Sequence, residues 1–169
     1  MVDKRKFKDI NVSLLGLGTM RLPCETEQKR ESNRNIDYDK AQSLVDLAYK
    51  NGVNYFDTAY MYHCGKSEAF IGYALNKYPR DTYFIADKLP IWLCDTKEDM
   101  KRVFEKQLER TGMDYFDFYL LHSLDNENFE KCEKFYAYDF LKKMQKEGKI
   151  KYIGFSFHGT VDDLRNIVS

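Results

Sequence analysis

An α/β fold follows from three observations: five hydrophobic runs alternate with five stretches of helical periodicity, the runs are apolar on successive positions, and they start at even intervals. Strands apolar on successive positions are buried on both faces, as in a parallel sheet covered by helices. The runs start near residues 14, 53, 83, 116 and 151. At roughly 34 residues per unit, eight units would need on the order of 270, near the usual length of a closed barrel. Two architectures fit the alternation equally, an open doubly wound sheet and a closed barrel of eight units. Five units cannot close a barrel, so the sheet is either open and complete or stops partway round.

The elements read as follows along the chain. "SLLGLG" (13–18) is the first strand, and the polar "ETEQKRESNRN" (25–35) reads as a long exposed loop. In "YDKAQSLVDLAYKNG" the residues Ala41, Leu44, Val45 and Ala48 share one helical face, and Gly52 ends it, being the residue type that accepts a left-handed backbone. "VNYFD" is a short buried strand, followed by a helix from about Ser67 to Tyr78 and the strand "TYFIADK". A helix from about Lys97 to Arg110 carries Met100, Val103, Phe104 and Leu108 inward, and "FDFYLLH" is the fourth strand. A helix from about Cys132 to Glu147, the strand "IKYIGFS" and the opening helix "TVDDLRNIVS" complete the pattern.

Composition narrows the function. The 169 residues hold 27 Lys plus Arg and 27 Asp plus Glu, so no long-range field steers the chain to nucleic acid or an anionic membrane. A small neutral partner fits best. No uncharged stretch approaches the roughly 18 apolar residues of a membrane span, and "MVDKRKFKDI" lacks the apolar segment of a secretory signal. The expected location is the cytoplasm. Cys24, Cys64, Cys94 and Cys132 show no C-x-x-C pair, so they are expected to be isolated reduced thiols with no metal bound.

In either architecture ligands meet the carboxyl ends of the strands, where the following loops converge. The reactive side chains there are Asp57 with Tyr62, Lys88, His122, and Ser156 with His158. Each alone has a plain structural explanation: a turn cap for Asp57, a half-buried aromatic for Tyr62, a solvated charge for Lys88, a hydrogen-bonded core imidazole for His122. Together they make a proton-delivery set. A phenol with a reference pKa of about 10 is a reluctant donor or base at neutral pH. A nearby ammonium lowers that value, and a carboxylate paired to the ammonium holds it charged and aimed. Asp57, Lys88 and Tyr62 supply those groups, and a neutral imidazole at His122 could orient a carbonyl oxygen toward the phenol. Tyr60 and Trp92 are candidate walls of an apolar pocket.

The same residues resemble the aldo-keto reductase family. The likeness runs from about residue 11 to the C-terminus and is ordered: "LGLGTM" on the first strand, "FDTA" with Tyr62 and "SE" on the second, a Lys closing the third, "LLHS" closing the fourth, and "GKIKYIGFS" at the fifth. The resemblance implies a (β/α)8 TIM barrel, present here as an incomplete barrel of about five units, the N-terminal part (1–169) without strands six to eight. It implies hydride transfer from NADPH or NADH to an aldehyde or ketone. Tyr62 would be the general acid, Lys88 and Asp57 would tune it, and His122 would orient the carbonyl. Gly18, Thr19 and Met20 match positions lying along the cofactor, Asp57 its ribose contact, and Ser156 its carboxamide contact.

There are departures from the family pattern. Many members have Ser-Asn after the fifth strand where this chain has "SFH", so the carboxamide contact would pass partly to His158. "GTMRLP" and "FSFH" resemble a branch whose members often carry a cysteine-rich iron–sulfur tail; such a cluster would bind beyond Ser169, and none of the four cysteines belongs to it. Incomplete, the barrel would expose sheet edges able to self-associate, and little turnover is expected of five units alone. The alternative function is a regulatory or non-catalytic subunit that keeps the fold and the cofactor.

Overall fold

Asp37 begins the first helix, α1 (Tyr38–Lys50), by accepting the Lys40 N–H on its carboxylate at 3.1 Å, which satisfies one of the helix's orphan donors. Ala41 and Val45 of α1 are fully buried, and the chain leaves at Gly52 with φ 93°. The computed structural model describes residues 1–25 and 35–168, so most of the loop expected at 25–35 lies outside the described residues. Before α1 stand a hairpin of β1 (Lys4–Phe7) and β2 (Ile10–Ser13) and the short β3 (Leu17–Gly18). After it come β4 (Tyr55–Asp57), α2 (Lys66–Leu75), β5 (Phe84–Leu89), α3 (Lys97–Thr111), β6 (Phe116–Leu124), α4 (Asn126–Phe135), α5 (Ala137–Lys146), β7 (Ile150–Phe157) and α6 (Val161–Val168).

Strand order decides between the two architectures. The parallel sheet runs β3-β4-β5-β6-β7, in chain order throughout. A doubly wound sheet reverses its order at a switch point, whereas a barrel adds each strand beside the last. The protein is therefore an incomplete (β/α) barrel of five units. As continuous apolar runs imply, β5 is buried on successive positions from Ile85 to Leu89.

The chain divides into two units, residues 1–86 with 110–113 and residues 87–109 with 114–169. In the first, Phe56, Phe70, Ile71, Leu75 and Ile85 are fully enclosed, and burial of each such side chain stabilises by about 1.5–3 kcal/mol. Gly72 permits the close seat of α2, since a Cβ there would lie 2.1 Å from the Thr111 carbonyl oxygen. In the second unit Phe104 meets Phe116 and Tyr119 edge-on, at 5.8 and 4.9 Å between ring centroids. Two of its helices open with reciprocal caps, Thr96 with Asp99 and Thr160 with Asp163.

Three elements differ from the sequence reading. Only Leu17–Gly18 of "SLLGLG" is in the parallel sheet; Ser13 closes the hairpin, where its N–H donates to Asn54 Oδ1 at 2.8 Å. The hairpin turns at Lys8 and Asp9, with Lys8 at φ 51°. A Lys-Asp pair is not the Asn-Gly or Asp-Gly signal that marks such turns. The helix expected over Cys132–Glu147 is two helices, α4 starting earlier at Asn126 and breaking at Tyr136, which takes φ 56°. No Gly or Pro marks the break, and apolar spacing continues across it.

Candidate active site

In the first unit, β3 and β4 end side by side, with Gly18 opposite Asp57 in register. Thr19 joins the two ends, its N–H and its hydroxyl both donating to the Asp57 carbonyl at 2.9 Å. Ser67 donates to Thr19 Oγ1 at 2.6 Å and lies 2.9 Å from Thr58 Oγ1. All three hydroxyl residues are fully buried, so Thr19 acts by fixing the strand ends, while Gly18 and Met20 are exposed beside it. Asp57 is half-buried at the tip of β4. Burial and the Asp57 charge push the neighbouring Tyr55 phenol well above its ordinary range.

Tyr62, half-buried, opens a 3-10 turn over Tyr62–Gly65 that leads into α2. Arg110 braces the turn: it pairs with the buried Glu68 at 2.9 Å, lies 4.3 Å above the Tyr60 ring and donates to the Tyr60 carbonyl at 3.5 Å. Removing one partner of a fully buried pair costs about 3–5 kcal/mol. With Arg110 a quarter exposed, Arg110→Ala is expected to cost somewhat less, about 2–3 kcal/mol, read as a lower urea midpoint. An unchanged midpoint would show that the pair contributes nothing net.

In the second unit Lys88 is buried near the end of β5 at 5 % exposure. Behind it Gln107 donates to the Asp87 carboxylate at 2.7 Å and to the Lys88 carbonyl at 3.1 Å, and accepts from the Tyr119 hydroxyl. Asp87, Gln107 and Tyr119 are all fully buried, so the backbone that presents Lys88 is held by a buried polar network.

His122, near the end of β6, is also buried. Burial, then the Lys88 charge and the neighbouring His158, push its imidazole down from 6.5 to about 4. It is neutral at pH 7, the form that can orient a carbonyl. The Trp92 ring lies 5.0 Å from it, held by a Lys131 ammonium donating to the Trp92 carbonyl at 3.2 Å. Just beyond, Ser123 takes φ 56° and donates its N–H to Ser156 Oγ at 2.7 Å. Ser156 thus steadies the bend after His122, and the exposed His158 follows at the end of β7.

A histidine whose folded pKa is depressed takes its proton in the unfolded chain first. Its contribution to stability is full above about pH 6.5 and is lost as pH falls toward about 4. The loss should be on the order of 3 kcal/mol, read by urea unfolding at successive pH values. Carboxylates such as Asp46, lowered to about 2 by its Lys77, Tyr78 and Gln42 hydrogen bonds against the opposing effect of burial, act in a more acid window. His122→Gln should flatten the slope between pH 6.5 and 4; a slope as steep in the variant would assign it elsewhere.

Sequence reasoning missed the structural half of the site. In sequence the "SE" of the second-strand cue is only a family mark, yet Ser67 and Glu68 are the buried anchors of the loop carrying Tyr62. Arg110 gave no signal, lying 42 residues from Glu68 at the end of an amphipathic helix. Among the described residues no group of three or more His, Cys, Asp or Glu could hold a metal ion, and no helix is long and apolar enough to cross a membrane.

Parallel strands added in chain order, with titratable side chains toward their carboxyl ends, define a (β/α)-barrel protein. Comparison with known proteins gives the family. Residues 14–169 match the model of the aldo/keto reductase family, and the chain belongs to that family, whose curated relatives are oxidoreductases. An aldo-keto reductase of Gibberella moniliformis is 32% identical over 163 residues, covering 92% of this chain and 46% of its own. The NADH-specific methylglyoxal reductase of Escherichia coli is 28% identical, covering 86% and 48%. The crystal structure of a Klebsiella pneumoniae aldo-keto reductase in complex with NADPH superposes with a TM-score of 0.70 at 26% identity, covering 98% of this chain and 52% of that one. The chain thus spans about half the length of these relatives.

Proposed function

We propose that these five units are the N-terminal part of an NADPH- or NADH-dependent reductase of aldehydes and ketones, the other barrel strands being supplied beyond them. The observation that carries this is the succession Asp57, Lys88, His122 toward the carboxyl ends of consecutive strands, with Tyr62 in the loop after the first. In this reading the carbonyl oxygen accepts from neutral His122 and from the Tyr62 hydroxyl. As the carbonyl carbon gains hydride, Tyr62 gives its proton to the oxygen, and Lys88, steadied by Asp57, stabilises the phenolate left behind. The hydride is supplied by the reduced nicotinamide when bound.

The residues present fit part of that group. Gly18 is exposed, with nothing within 4 Å of where a Cβ would stand, leaving room for a ligand to lie along it. Met20 and the Ser156 hydroxyl offer further contact, and His158 follows Ser156 closely in sequence. For substrate, the methylglyoxal activity named for the E. coli relative and the Trp92 wall beside His122 favour small oxoaldehydes or flat aromatic aldehydes.

The test is aldehyde-dependent oxidation of NADPH and NADH by the chain alone and by the chain extended to full barrel length. Turnover by either form supports the reading, and silence from both across a broad carbonyl panel would overturn it. Tight cofactor binding without turnover would favour the regulatory alternative.

A further inference from the structure

Directly after Tyr62 the backbone is strained. His63 (φ 50°, ψ 42°) and Cys64 (φ 54°, ψ 40°) both take the left-handed conformation, and Gly65 follows at φ 83°. For a residue with a Cβ this costs roughly 1–2 kcal/mol. Glycine, which adopts it freely, stands only at the third position. Two successive strained residues persist only where their surroundings enforce them, and such strain clusters at functional sites.

The enforcing contact comes from the His63 side chain. Its Nε2 accepts the Leu22 N–H at 3.0 Å, and its Nδ1 faces Cys24 Sγ at 3.9 Å. Accepting at Nε2 requires a neutral ring with its proton on Nδ1. Burial, then the charge of Lys66, push this imidazole below its ordinary 6.5, so the acceptor is present at neutral pH. The anchor is itself fixed. Leu22 is buried, Cys24 bridges to Ile36, and the Pro23 carbonyl accepts the Asp37 N–H at 2.9 Å. Arg110 closes the opposite side, where a Cβ on Gly65 would come within 3.2 Å of its guanidinium.

We propose that His63 is a positioning residue for Tyr62: its imidazole ties the left-handed turn to Leu22 and thereby fixes where the phenol points. The inference rests on the reading of Tyr62 as proton donor. It gives the strain a purpose, because a relaxed right-handed turn would start α2 in another direction and carry Tyr62 away with it.

The experiment separates strain from tether. His63→Gly removes the ring but suits the backbone, so relief of strain offsets the acceptor lost to the Leu22 N–H and it should fold with a stability near the parent's. His63→Gln keeps an acceptor oxygen for the Leu22 N–H. The probe is the chain labelled with 13Cζ-tyrosine, its Tyr62 resonance assigned by loss in Tyr62→Phe. His63→Gly should shift and broaden that resonance, and His63→Gln should return it toward the parent position. In the form that reduces aldehydes, His63→Gly should lower kcat about 10- to 100-fold with KM nearly unchanged, as misplacement of a reacting group by about 1 Å does. A Tyr62 resonance indifferent to His63→Gly would overturn the positioning role. Absence of turnover in the unsubstituted protein would overturn the reductase reading alone, because the resonance is read without it.

Discussion

Replacing Tyr62 by Phe is expected to slow aldehyde reduction by about 10²- to 10⁴-fold, the usual contribution of a positioned general acid. The ring stays and fills the same space at the start of the 3-10 turn. Only the hydroxyl goes, so cofactor affinity and thermal stability should remain near the parent values. The measurement is kcat and KM for a reactive aldehyde, with cofactor binding followed by nicotinamide fluorescence. A Tyr62→Phe protein that reduces aldehydes at the parent rate would remove the phenol from the mechanism, leaving solvent as the proton source.

Gly72→Ala is expected to have the largest effect on folding. The added methyl would stand 2.1 Å from the Thr111 carbonyl oxygen and 2.7 Å from its carbon, with backbone on both sides of the contact. No rotamer change relieves such a clash, so α2 must move off its seat. Overpacking in a core typically costs about 1–3 kcal/mol, and a backbone clash belongs at or above the top of that range. Because α2 carries Ser67 and Glu68, the buried anchors of the Tyr62 loop, activity should fall with stability. Equal urea midpoints for Gly72→Ala and the parent would show that α2 shifts at no cost.

The parallel strands and the helices between them were legible because burial of both sheet faces leaves unbroken apolar runs and each helix keeps a stripe of apolar spacing. Their positions relative to the polar residues are legible too, which puts Asp57, Lys88 and His122 at or near strand ends. What was not legible came from pairings distant in sequence or from backbone states without a compositional mark. Ser13 and Asn54 exchange hydrogen bonds across 41 residues, and neither residue type announces a partner. Tyr136, His63 and Cys64 take left-handed conformations that sequence reading assigns to Gly or Asn. The polar network behind Lys88 was hidden for a related reason: Asp87, Gln107 and Tyr119 each look like ordinary strand or helix residues until three elements are packed together.

The N-terminal hairpin bears on how the protein behaves in concentrated solution. A chain with 27 residues of each sign has no net charge to hold its copies apart. The hairpin strand β1 is exposed along its whole length and presents Lys4, Arg5 and Lys6 in succession. Successive strand side chains point to opposite faces, so Lys4 and Lys6 charge one face and Arg5 the other, and charges on a strand oppose pairing with a second such edge, a local shield where the global one is lacking. That shield works over only about 10 Å in 0.1 M salt, and polyanions would neutralise it first. At this strand copies of the protein are therefore held apart only at short range, a protection that fades as salt is added.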